Sequence, residues 1–157
     1  MTRTVTTTRT VTQAATEPCG GNQLSGTFNM VEGSQAAGQV AYLLTLTNAS
    51  QTMCTISGPP HAVLLASGGK PLPTDVVFAT GVAGTVLLAP GVGAMEQARF
   101  SPDVPGAGDA ESGPCQPKAY TLQVTPVGAG TVDVPIKPPT SVCERGTLDF
   151  GALYGGG

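Results

Sequence analysis

A chain of 157 residues with 22 Gly and 14 Pro has room for one ordinary domain but little for long helices, because both residues weaken helix interiors. Hydrophobic residues at 40% against 11% charged ones supply a core and exclude wholesale disorder. A formal net charge of −3 lacks the basic footprint of an electrostatic nucleic-acid binder.

The first stretch, Thr2 to Thr16, holds eight threonines with Arg3 and Arg9 and has nothing of the zoned pattern of a signal peptide. It reads as a stalk or linker over residues 1–18, with an edge strand through Val5 and Val11 as the alternative. From about residue 23 apolar and polar residues alternate with period two, interrupted every ten or so residues by Gly, Pro, Asn or Ser. The clearest strand is Gln39 to Asn48, whose inward face carries Val40, Tyr42, Leu44 and Leu46. A turn at Asn48, Ala49 and Ser50 leads into Thr52 to Ser57, with Cys54 and Ile56 on one side, and Gly58, Pro59 and Pro60 end that strand. Further strands are expected at Ala62 to Ala66, Val76 to Phe78, Thr85 to Leu88 and Ala94 to Phe100, with turns at Ser67 to Gly69 and Ala89 to Gly91.

Ser101 to Pro117 is a long Gly/Pro/Asp/Ser loop, and strands resume beyond it, so one domain over 19–154 is expected. Tyr120, Leu122 and Val124 alternate with polar neighbours, as do Val132, Val134 and Ile136 after Pro126 to Gly130, which predicts a hairpin. Leu148 and Phe150 form a last alternating segment, and Gly155, Gly156 and Gly157 read as a frayed tail. Many short strands at this spacing describe an all-β sandwich. No apolar run approaches the ~20 residues needed to span a bilayer, so a membrane span is not expected.

Cys19, Cys54, Cys115 and Cys143 show neither a CxxC nor a metal-ligand spacing. Four cysteines permit three pairings; local bracketing of strand groups favours Cys19 with Cys54 and Cys115 with Cys143, while spacing leaves the others open. Each bridge would contribute ~3–4 kcal/mol in the chain-entropy picture and would persist only in an oxidising compartment. The expected location is therefore extracytoplasmic, with any anchor supplied from outside this chain.

The order of several short motifs resembles domain-of-unknown-function family 4232. Its first half is matched by Cys19, then Leu46-Thr47-Asn48-Ala49-Ser50, then Cys54-Thr55-Ile56-Ser57-Gly58-Pro59 ahead of Val63 and Leu64. Its second half is similar to Leu88-Ala89-Pro90-Gly91, Arg99-Phe100, Cys115, Leu122, Val124-Thr125-Pro126, and Cys143 before Gly146, Leu148 and Phe150. The resemblance implies an immunoglobulin-like antiparallel β-sandwich with two intradomain disulfides, of the kind found in secreted proteins and lipoproteins of Actinobacteria. It implies no activity and no cofactor. Pro60 and the lack of Trp depart from the family pattern in ways that bear on loops rather than on fold.

The catalytic inventory is thin. The single histidine, His61, follows Pro59 and Pro60 at a strand entry and reads as an ordinary loop or edge residue; no Gly-x-Ser-x-Gly elbow is present. The Gly-rich stretches 81–84 and 128–130 read as turns rather than phosphate cradles. Asp103, Asp109 and Glu111 lie in a Gly/Pro loop that reads as a solvated surface, poorly suited to fixed geometry for calcium or hydrolysis. The reading is a non-catalytic binding or spacer module with no catalytic, cofactor or metal residues, its partner a protein or cell-envelope component. A copper-handling alternative would draw on His61 with Met30, Met53 and Met95, and a cell-envelope glycan hydrolase is the second alternative.

Overall fold

The computed structural model describes residues 16–57, 61–78, 85–106, 109 and 114–155. The Thr-rich segment through residue 15, the Gly58 to Pro60 strand end, the Gly-rich stretch 81–84, Glu111 and the last two glycines lie outside the described residues. Eleven strands run along these residues: β1 (Leu24–Met30), β2 (Val40–Asn48), β3 (Cys54–Ser57), β4 (His61–Ala66), β5 (Asp75–Phe78), β6 (Thr85–Leu88), β7 (Gly93–Phe100), β8 (Ala119–Thr125), β9 (Val132–Thr140), β10 (Thr147–Phe150) and β11 (Tyr154–Gly155). The fold is all-β. No helix of the described residues is long and apolar enough to cross a membrane.

Among the described residues one large sheet has the order β4-β8-β9-β1-β2-β7-β10-β5, with β11 added beside β7, and β3 pairs with β6 in a separate ribbon. Most pairings are antiparallel, including the β8–β9 hairpin in which Leu122 lies opposite Val134. Two are parallel, β1 with β9 and β10 with β5, so the sheet is mixed rather than wholly antiparallel. These pairings join strands far apart in sequence. Alternation alone cannot report them, because a strand's side-chain pattern is the same whichever way its neighbour runs.

Period-two burial follows the sequence closely in β2, where Val40, Tyr42, Leu44, Leu46 and Asn48 are all buried. In β8 Leu122 and Val124 are fully buried, but a register shift between Ala119 and Thr121 turns Ala119 inward and leaves Tyr120 45% exposed. An irregularity of that kind reverses the facing of every residue beyond it. Strand β9 likewise runs past Ile136 through two prolines to Thr140. There the Pro138 carbonyl accepts a hydrogen bond from the Tyr42 hydroxyl (2.7 Å). The Tyr42 ring packs in tilted contact with Phe28 and Phe100, centroids 5.1 and 5.2 Å away.

Two disulfides, Cys19–Cys54 and Cys115–Cys143, close loops with sequence separations of 35 and 28. The first docks the short segment from Glu17 to Cys19 onto β3: the Cys19 N–H donates to the Thr55 carbonyl (2.8 Å), and the Thr55 N–H donates to the Glu17 carbonyl (3.0 Å). Asn48, fully buried at the end of β2, secures the same ribbon from the other side. Its Nδ2 donates to the carbonyls of Thr52 (2.8 Å) and Leu88 (3.0 Å), while its Oδ1 accepts from the Ser50 N–H (2.9 Å) and hydroxyl (2.7 Å).

The second bridge adjoins a left-handed turn, Cys143–Gly146, in which Glu144 and Arg145 have φ of 57° and 56°. Such a conformation costs roughly 1–2 kcal/mol per non-glycine residue, so it needs support. Asp109 supplies part of it. Its carboxylate accepts from the N–H groups of Glu144 (2.6 Å), Arg145 (3.0 Å) and Gly106 (2.8 Å), and these bonds hold its pKa below the usual carboxylate range. The loop acid expected to lie on a solvated surface is in fact fixed in place.

Two substitutions test these anchors. Asn48→Ala removes the buried amide donor from the Thr52 and Leu88 carbonyls and should cost about 3 kcal/mol. Hydrogen exchange at the Cys54–Ser57 amides should then quicken, and unchanged protection there would argue against an anchoring role. Gly146→Ala combines φ of 79° with a Cβ placed on the Pro73 carbonyl oxygen, and should destabilise by ~3 kcal/mol or more in a denaturant titration.

Candidate functional site

Strands β2, β3 and β8 are not neighbours in the pairing order, yet Leu46, Ile56 and Val124 line one cavity. The apolar faces of the sheet and of the ribbon therefore turn towards one another and leave a gap of about 330 Å³ between them. Thr125 with its ladder neighbour His61, and Pro126 and Val127 from the β8–β9 connection, complete the wall on the sheet side; Thr55 and Ser57 line the ribbon side. The gap lies at the end of the fold where β4 begins, since His61 stands opposite Thr125 in the β4–β8 register.

A carboxyl group lies in the wall of this mostly apolar space. Glu96 lines it from β7, opposite Leu44 of β2 and on the same inward face as Ala94, Ala98 and Phe100. It is 4% exposed and has no hydrogen-bond or ion-pair partner among the described residues. Loss of water is the cause that moves its pKa, which burial raises from 4.5 to about 7. A buried acid without a partner is costly for folding, and such groups gather where a protein has a use for them.

The residues singled out from sequence distribute differently. His61 is the exposed first residue of β4 and stands at the cavity. Met30 sits opposite Tyr42 at the far end of β1, whereas cavity-lining Leu46 faces Gly26 near its start. Four residues of strand, about 13 Å, separate those positions. Met95 points to the face of β7 opposite Glu96, across from Thr45 and Tyr154, and Met53 is half-exposed just before β3. The strand register does not bring the four soft donors together. Asp103 is exposed, away from the cavity lining.

Among the described residues Asp109 lies with Cys115 and Cys143 in a cluster of metal-ligand types. Both sulfurs there are joined to each other and the carboxylate is occupied by three N–H groups, so the cluster is a structural corner.

Glu96 escaped sequence reasoning because a lone acid in a strand is ordinarily placed on the outer face. The signal was present in Ala94-Met95-Glu96-Gln97-Ala98-Arg99-Phe100: strict alternation puts Glu96 in phase with the two alanines and the phenylalanine.

Glu96 sets a pH dependence of definite sign. Between 4.5 and about 7 the folded chain holds a proton that the unfolded chain has lost, so this contribution to stability is complete below 4.5 and disappears as pH rises through about 7. Allowing for water at the cavity mouth, the loss is of the order of ~2 kcal/mol. Glu96→Gln should therefore be the more stable protein at pH 8, with the advantage shrinking towards pH 4.5. Parallel stability curves for the two proteins across that range would contradict the burial of the carboxyl group.

No curated protein and no solved structure matches the chain. The model of one family, described as Domain of unknown function (DUF4232), matches residues 19–154, which takes in both disulfides and every residue of the cavity. The two bridges suit an oxidising environment, and the chain belongs to the DUF4232 family.

Proposed function

We propose that this domain is a non-catalytic binding module, displayed outside the cytoplasm, that takes a small and largely apolar molecule into the cavity between β2, β3, β7 and β8. The observation that carries this reading is the cavity itself: about 330 Å³, with a mostly apolar surface and one carboxyl group that has no partner among the described residues. Binding sites for small molecules are typically concave, mostly apolar and provided with few polar groups. A domain acting only as a spacer would be better served by a closed core, because a gap lacks the dispersion contacts that stabilise the packed interior.

The non-catalytic part of the reading has its own support. Glu96 is the one carboxylate among the lining residues, whereas glycoside hydrolysis uses a pair. The Ser57 hydroxyl lies 3.1 Å from that of Thr85, so its neighbour is another hydroxyl rather than an activating base. Two disulfides support the location, since they persist where thiols are oxidised.

Titration with phenethyl alcohol, followed by amide shifts in NMR, tests the reading. Shifts should concentrate at Leu46, Ile56, Val124 and Thr125, saturate, and vanish in Val124→Trp, where the indole fills the space. The alcohol should be recovered unaltered. Diffuse shifts that never saturate, or a chemical change in the ligand that depends on the protein, would overturn it.

A further inference from the structure

The polar lining of the cavity is chemically one-sided. Among the described residues the cations of fixed charge are Lys70, Arg99, Lys118, Lys137 and Arg145; all are exposed and none lines the cavity. Arg99, the nearest to Glu96 along β7, lies on the opposite face of that strand. His61 stands at the entrance, exposed, while Glu96 lies deep in the wall. Among the described residues a buried acid is thus left without a counter-charge.

We propose that the cavity selects small amphiphiles carrying a cationic nitrogen, with the ammonium group seated on the Glu96 carboxylate and the apolar body against Leu46, Ile56 and Val127. The inference rests on the binding reading above and narrows it to a ligand class. Volume sets the size: 330 Å³ stands at the lower end of the range for ligand pockets, so the body is of the order of ten non-hydrogen atoms.

Energetics favour a cation over a neutral molecule of the same shape. Forming a buried ion pair ordinarily requires removing water from both partners, and that cost can cancel the attraction. Here folding has already removed most water from Glu96, so the ligand contributes only its own desolvation and gains a charge-assisted hydrogen bond. The raised pKa of Glu96 agrees with this: the ionised carboxylate lacks stabilisation that a cation would restore. A phosphate or carboxylate ligand would meet the opposite situation.

Phenethylammonium chloride and phenethyl alcohol differ at one terminal group and form a matched pair. Calorimetric titration at pH 8 of the wild-type chain and of Glu96→Gln, an isosteric change that keeps the side chain's shape, separates shape from charge. The ammonium compound should bind the wild type at least ~10-fold more tightly than the alcohol, and Glu96→Gln should lose that preference while holding the alcohol as before. Retained alcohol binding shows that the variant is folded. Equal affinity of the wild type for both compounds, or a preference that survives in Glu96→Gln, overturns the amine inference and leaves the binding reading standing. Binding of neither compound overturns both.

Discussion

The fold depends on how a two-stranded ribbon is kept against a large mixed sheet, and the side chain of Asn48 is a buried polar tie between them. Among the described residues the ribbon of β3 and β6 shares no ladder with the large sheet, so strand pairing with that sheet does not set its position. Asn48 ends β2 with both amide functions occupied, reaching β6 at Leu88 and the turn before β3 at Thr52. Leu88 in turn lies opposite Cys54, which is bonded to Cys19. One buried amide and one covalent bond thus hold the same end of the ribbon. Being fully satisfied, the amide avoids the penalty of an orphaned polar group and adds geometric definition that apolar contacts alone lack.

Fixing that end leaves the other free to stand off. Ile56 and Ser57, two and three residues beyond Cys54, face the gap with Leu46 and Glu96 below them. The cavity is therefore a consequence of the tie, built mostly on strands with Pro126 and Val127 added from the β8–β9 connection, which suits a site whose shape must persist without a ligand. Its chemistry follows from one exception to the alternation of β7. Where an alanine or leucine would close the wall, Glu96 stands without a partner among the described residues, its pKa raised by burial to about 7.

Much of this was legible in the chain. Alternation identified β2, β8 and β9 with their buried faces, and Gly, Pro and Asn punctuation marked the turns between them. What could not be read were features decided by partners distant in sequence. The parallel neighbours of β9 and β5 leave no trace in local pattern. Tyr120 faces solvent because of an irregularity in pairing, not because of its own character. The gap itself depends on how far apart two layers sit, and no period in the sequence encodes a distance. Asp109 looked like a loose loop acid because two of the three backbone N–H groups that fix it lie some thirty-five residues further on. Glu96 was readable in phase and overlooked by residue type.

The corner held by Asp109 divides information unevenly between side chain and main chain. Glu144 and Arg145 enter its hydrogen bonds as peptide groups, while Asp109 enters as a carboxylate and Gly146 through the absence of a Cβ. The recognition code at this corner is thus nearly silent at two of its four positions. Divergence at 144 and 145 is restrained only by the left-handed backbone, which biases drift towards Asn, Asp and Gly. Descendants of this chain can recolour that patch of surface, in charge and in size, while the scaffold beneath it stays the same.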